Sequence, residues 1–152
     1  MRGSERIGPV ISMPPPRTLM GFDYGRRRIG VAVGQELTAS ARPLATVTCG
    51  DWQRIERLIA EWQPAALVVG VSRHGDDTAS ATTQRTLRFV AELAQRSGLP
   101  VHTIDERLSS HEAEQRLWAA GGNPQRNKAA VDQLAAAVIL ESWLQEFHDD
   151  DH

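Results

Sequence analysis

At 152 residues, 41% hydrophobic and 24% charged, the chain has the composition of one globular domain with a single core, and it is too short for two domains of ordinary size. No apolar run approaches the roughly 18 residues that a membrane-spanning helix needs, and a lone cysteine, Cys49, excludes an internal disulfide and any cysteine-pair zinc site. The net charge of −2 gives no general attraction to nucleic acid, yet charge is unevenly placed: residues 146–152 concentrate acid, whereas Arg26, Arg27 and Arg28 set three guanidinium groups side by side.

Residues 1–17, with Pro14-Pro15-Pro16 and no continuous apolar stretch like that of a secretory signal, read as a flexible leader on a cytoplasmic protein. Residues 18–147 then form the domain, and 148–152 an acidic tail. Strands are expected over 18–24 and 28–34, joined by the short link at 25–27 as an antiparallel hairpin, with a third over 44–49. Gly50 and Asp51 punctuate. Trp52, Ile55, Leu58, Ile59 and Trp62 then recur at helical spacing until Pro64 stops them. The apolar run 65–71 predicts a strand buried on both faces, followed by a polar loop over 72–78. Helical spacing resumes with Leu87, Val90, Leu93 and Ala94, ends at Gly98, and gives way to a strand from Pro100 to Ile104. Ser109-Ser110-His111-Glu112 has the form of a capping box opening a helix that Gly121-Gly122 closes. Asn123 and Pro124 suit the N-cap and first position of a last helix reaching about residue 147. The four tryptophans fit helix faces and are expected in the core. Crossovers make the later strands parallel, so the order predicts a mixed α/β sheet.

Three acids stand beside apolar sequence, where an unpaired carboxylate is costly. Asp23 ends the first strand, and a turn aspartate explains it about as well as function does. Glu106 lies just past the last strand beside Asp105; since adjacent strand residues face opposite ways, only one of the two can join a shared site. Asp132 is followed at helical spacing by Ala135, Ala136 and Ile139, so its carboxylate lies on an apolar face. Alanines at 129, 130, 135, 136 and 137 would let that helix approach the sheet closely. Strand termini are where active sites collect in open α/β sheets, and a metal site shared by the three acids is the reading this suggests.

Gly21-Phe22-Asp23-Tyr24-Gly25 with Arg28-Ile29-Gly30-Val31-Ala32, then Leu67-Val68-Val69-Gly70, then Asp105-Glu106-Arg107-Leu108, then Lys128 through Asp132 with Ala135-Ala136, make up four ordered motifs. Together they resemble the YqgF/RuvX family, Holliday-junction-resolvase-like nucleases also described as pre-16S ribosomal RNA nucleases, over about residues 18–146. The resemblance implies a ribonuclease H-like, mixed five-stranded sheet flanked by helices, and metal-dependent phosphodiester hydrolysis by an acidic triad matching Asp23, Glu106 and Asp132. It selects Glu106 over Asp105. One departure stands in the loop after Gly70, where Ser72 replaces the family's usual proline and the segment to Asp77 is short.

Oxygen-only ligands favour Mg²⁺ or Mn²⁺ over zinc, and two ions are expected to share the three carboxylates. Arg26, Arg27, Arg28 and Lys128 would hold flanking phosphates, and Arg107 would do so or orient Glu106. The expected activity is maturation of the 5′ end of pre-16S rRNA. A junction-resolving DNA nuclease and a non-catalytic nucleic-acid-binding factor are the alternatives. The substrate is structured RNA or branched DNA, no membrane is involved, and the protein acts as a monomer or a homodimer. The same Gly-Phe-Asp-Tyr-Gly hairpin also resembles the first phosphate loop of actin-like ATPases and sugar kinases. Those proteins bind nucleotide between two such domains, and this chain has the length for one.

Overall fold

A computed structural model of the protein describes residues 17–71, 81–105 and 109–150. Its strands are β1 (Thr18–Tyr24), β2 (Arg28–Gln35), β3 (Ser40–Thr48), β4 (Ala66–Val71) and β5 (Val101–Asp105). They form one mixed sheet in the order β3-β2-β1-β4-β5, with β1–β2 and β2–β3 antiparallel and β4 and β5 parallel to β1. The three parallel strands therefore end on the same edge, at Tyr24, Val71 and Asp105. The expected loop over 72–78, together with Glu106 and Arg107, lies outside the described residues.

Strand β3 starts four residues earlier than its apolar pattern suggested, because the early part is a polar, exposed edge that pattern cannot reveal. The pairing shifts register between Val31 and Ala32, so that Ala45 and then Pro43 face consecutive β2 residues. A bulge on an edge strand accommodates a proline, which has no ladder donor to give.

Helices α1 (Trp52–Trp62) and α2 (Ala81–Ser97) cover one face of the sheet, and α4 (Lys128–Asp150) the other, with α3 (Ser109–Ala119) packed on α4. Asp51 caps α1 by accepting from the Arg54 amide at 3.2 Å, and Gln63 ends it in the left-handed conformation just before Pro64. Alternation splits the strands between two cores. Met20, Phe22, Ile29, Val31 and Val33 pack against Ile55, Phe89 and Leu93 on the α1/α2 face; Leu19, Ala66 and Val68 meet Ile139, Leu140 and Leu144 of α4. Every residue of β4 is buried, as its unbroken apolar run predicts.

Helix α4 lies directly on the strand backbone. A Cβ at Gly21 would sit 2.8 Å from the Leu140 Cβ and 3.0 Å from the Ala136 carbonyl oxygen, so only glycine admits this approach. Ala135, Ala136 and Ala137 are fully buried at that contact, whereas Ala129 is exposed.

Three local expectations are corrected. Asn123 and Pro124 do not start α4: Asn123 instead closes a turn, accepting the Gln125 amide on its side chain at 3.0 Å and the Asn127 amide on its carbonyl at 3.0 Å. Asn127 is the cap, taking the Ala130 amide at 3.2 Å, which puts Asp132 one turn past the cap rather than two. Helix α3 begins at Ser109, as expected, and its Glu112 carboxylate accepts from Arg116 at 2.7 Å. Trp118 is 59% exposed on α3, so it is not a core residue; helical spacing gave it a face but not the identity of what that face meets. Helix α4 also continues to Asp150, into the segment expected as a tail. No helix among the described residues is long and apolar enough to cross a membrane.

Candidate active site

Gly30 organises the site. In the β1–β2 ladder it is directly opposite Asp23, and in the β2–β3 ladder directly opposite Thr46. A Cβ at Gly30 would fall 1.8 Å from the Asp132 carbonyl oxygen, so the α4 backbone at Asp132 rests on this strand position. Asp23 shares the α4 face of β1 with Leu19 and Gly21, by alternation from residues whose contacts with α4 are given. Asp23 and Asp132 are thus brought to one face and one edge of the sheet, from sequence positions more than a hundred residues apart.

Arg28 completes this cluster. It lies on the same face of β2, two residues before Gly30 and hence diagonal to Asp23, and its Nε donates to Asp132 Oδ2 at 2.5 Å. Carboxylates gathered at one edge repel one another, and the Arg28 guanidinium on Asp132 offsets part of that cost. Asp132 has a 19% exposed side chain and Arg28 a 41% exposed one, so the pair opens on solvent along one side.

A polar brace holds the start of α4 in place. Thr46 Oγ1 donates to the Ala129 carbonyl at 2.8 Å and accepts from Gln133 Nε2 at 3.0 Å, tying β3 to the first turns of the helix on both sides of Asp132. Cys49 sits beside the β1–β2 turn with its thiol donating to the Gly25 carbonyl at 3.1 Å. Burial, and then the negative charge of Asp132, push that thiol's pKa above its ordinary value. Gly30, Thr46, Gln133 and Cys49 were not singled out for the site from sequence. The one available signal was an isolated glycine inside the strand pattern Ile29-Gly30-Val31, which marks a close backbone approach.

The other expected residues divide. Arg26 and Arg27 are exposed in the turn next to the pair, and Lys128 is exposed at the first position of α4. Glu106 and Arg107 lie outside the described residues. Asp105 is the end of β5, where His102 stacks on Trp143 of α4 with ring centroids 4.5 Å apart and Ile104 packs with the α4 core. Alternation therefore turns Asp105 to the face opposite Asp23 and Asp132. Among the described residues no three His, Cys, Asp or Glu side chains stand close enough to hold a metal, which leaves the two aspartates as the carboxylate donors in view.

A family model described as "RuvX: Holliday junction resolvase" matches residues 17–146. The chain belongs to this RuvX family. A relative from Legionella pneumophila named "Putative pre-16S rRNA nuclease" is 48% identical over 136 residues, covering 87% of this chain and 98% of its own. One of the same name from Azotobacter vinelandii is 48% identical over 138 residues, covering 88% and 97%. Among solved structures, Thermus thermophilus RuvC superposes with a TM-score of 0.53 at 17% identity, covering 87% of this chain and 96% of that one. This RuvX chain accordingly has the ribonuclease H-like fold, a five-stranded mixed sheet with helices on both faces.

Proposed function

We propose that the protein is a divalent-metal-dependent nuclease that hydrolyses phosphodiester bonds in nucleic acid, with Asp23, Glu106 and Asp132 as its acidic triad. The observation that carries this is that Asp23 pairs with Gly30 and the Asp132 backbone rests on that same glycine, on the strand edge where active sites of open α/β sheets collect. The facing of Asp105 away from that pair favours Glu106 as the third acid.

Carboxylate oxygens are donors for a hard cation, so Asp23 and Asp132 fit Mg²⁺ or Mn²⁺ and would hold it together with Glu106. Once bound, one or two such ions would supply the Lewis acid that stabilises charge on the phosphate and the activation of an attacking water. The chain's own groups do the rest. Arg28 neutralises Asp132 and is placed to turn its guanidinium to a phosphate oxygen, while Arg26, Arg27 and Lys128 on the rim hold flanking phosphates. Arg107 is assigned the same role by its place beside Glu106.

Pre-16S rRNA is the substrate we favour, because relatives 48% identical over nearly their whole length are named for it, and its 5′ end is the position we propose to test. A four-way DNA junction is the second reading, favoured by the family description and by a similar fold solved as "T. thermophilus RuvC in complex with Holliday junction substrate". Purified protein is incubated with a labelled pre-16S 5′ precursor and with a four-way junction, in Mg²⁺, Mn²⁺ or EDTA, alongside Asp132→Asn. Cleavage of the RNA that disappears in EDTA and in the variant is expected. Equal product from wild type and Asp132→Asn would end the nuclease reading.

A further inference from the structure

On the sheet face opposite α4, Tyr24 begins a row of stacked rings. It lies on Phe89 of α2 with centroids 4.7 Å apart and planes at 29°, and Phe89 lies on Trp52 of α1 at 5.4 Å and 24°. Phe89 is buried, while Tyr24 and Trp52 are half-buried. The row lines a cavity of about 310 Å³ that Arg85 and Arg88 also border. Among the described residues neither of these guanidinium groups meets a carboxylate: Arg85 bonds the Thr82 hydroxyl at 3.5 Å, and the acid of the lining, Glu92, is taken by Arg96 at 2.8 Å. The cavity is therefore lined both by aromatic surface and by two guanidinium groups that have no carboxylate partner among the described residues.

That combination suits one kind of occupant. Proteins hold unpaired strands by stacking bases on aromatic side chains and tracking the phosphates with cations, whereas a duplex keeps its base faces covered by one another. The volume is at the bottom of the range of roughly 300 to 1,000 Å³ for small-molecule sites, which limits it to about one nucleotide. Its position also matters, because Tyr24 directly follows Asp23 and the two side chains leave opposite faces at the same strand end. A nucleic acid strand passing over this edge of the sheet would reach the carboxylates on one side and the cavity on the other.

We propose that this cavity receives one unpaired nucleotide flanking the cleavage position, its base on Tyr24 and its phosphate on Arg85 and Arg88, while Trp52, held between Phe89 and the Arg96 guanidinium, walls the cavity without stacking on the base. The substrate is then a nucleic acid with a single-stranded segment beside the scissile bond. The term "cleavage position" rests on the nuclease reading above; the binding itself does not.

Binding is measured by fluorescence anisotropy on the full chain in EDTA, with labelled single-stranded RNA and DNA oligonucleotides and with a perfect duplex. Both sugars are included because base and phosphate are common to them. Arg85→Ala/Arg88→Ala, at surface positions of α2, is expected to weaken single-strand binding on the order of ten-fold, to change duplex binding less than about two-fold, and to flatten the single-strand salt slope by about 1.4. Tyr24→Leu is expected to weaken single-strand binding at least about five-fold, the low end for losing one stacked base. Unchanged single-strand binding in the double variant, or equal weakening on strand and duplex, overturns the proposal. Because EDTA removes turnover, this result is separate from whether Asp132→Asn stops cleavage.

Discussion

Gly30→Ala is the substitution that most directly tests how the site is built. A methyl group there would stand 1.8 Å from the carbonyl oxygen and 2.3 Å from the carbonyl carbon of Asp132, and both are backbone atoms with no rotamer to change. Ordinary contact begins at 3.4 Å, so α4 must withdraw from β2 by roughly 1.6 Å at Asp132. Overpacking of this kind costs about 1 to 3 kcal/mol, and the absence of a flexible partner puts this case at about 2 to 3 kcal/mol. For a domain of this size that lowers the melting temperature by roughly 8 to 12 °C. The larger effect falls on activity: displacing a reacting group by about 1 Å can cost on the order of 100-fold, and here the displaced residue is one of the proposed triad. Leu93→Ala is the matched control. Leu93 is fully buried on the α1/α2 face, away from α4, and its truncation costs about 2 to 5 kcal/mol. Both variants are followed by thermal melts and by initial cleavage rates at a temperature where both remain folded. Gly30→Ala is expected to lose on the order of 100-fold and Leu93→Ala no more than a few-fold. If Gly30→Ala loses no more activity than the control, the seat of Asp132 on Gly30 is not what organises the site.

Arg28→Met removes the cation on Asp132. Because the Arg28 side chain is 41% exposed, stability should change by less than about 1 kcal/mol, while the Mg²⁺ concentration needed to raise the melting temperature should fall, since no internal cation competes for the carboxylate; an unchanged Mg²⁺ midpoint would count against that competition. Thr46→Val cuts both bonds of the brace and should cost about 1 to 3 kcal/mol in urea unfolding, with a several-fold loss of cleavage rate; a change within a few tenths of a kcal/mol would show the brace to be ornamental. Cys49 holds its proton above the ordinary thiol range, so iodoacetamide should label it slowly near neutral pH, and faster in Asp132→Asn, which removes one of the two causes. The sign for stability follows: the folded state keeps this proton longer than the unfolded chain, so the contribution is present below the ordinary thiol pKa and is lost as pH rises through the higher folded value. Cys49→Ala should therefore flatten the alkaline limb of the unfolding curve.

The parts of this fold legible in the sequence are those set by patterns local to one element. The hairpin of β1 and β2, the buried run of β4 and the stop of α1 at Pro64 each follow from periodicity or from one residue's backbone chemistry, and all stand where expected. What escaped was decided by partners distant in sequence. Asn123 and Asn127 are both good caps, and only the turn that Asn123 closes on itself chooses between them. Thr46 and Gln133 are unremarkable in their own segments and become a brace only because β3 passes beneath α4. Tyr24, Trp52 and Phe89 come from three elements, so no single stretch of sequence displays the row they form.

The choice between Asp105 and Glu106 shows how the two kinds of information combine. Sequence supplies the rule that one of two adjacent strand residues must face away, but it does not contain the phase of β5. That phase is set by contacts with α4, through His102 on Trp143 and Ile104 in the core around Ile139 and Leu140. With even-numbered residues of β5 turned to α4, Asp105 belongs to the opposite face, and a carboxylate meant for Asp23 and Asp132 has to come from elsewhere on that strand end. Asp105→Asn should accordingly leave the metal dependence of cleavage as it is, while Glu106→Gln abolishes turnover. Comparable losses from both would mean that β5 does not present its acids by simple alternation, and the assignment of the third acid would have to be withdrawn.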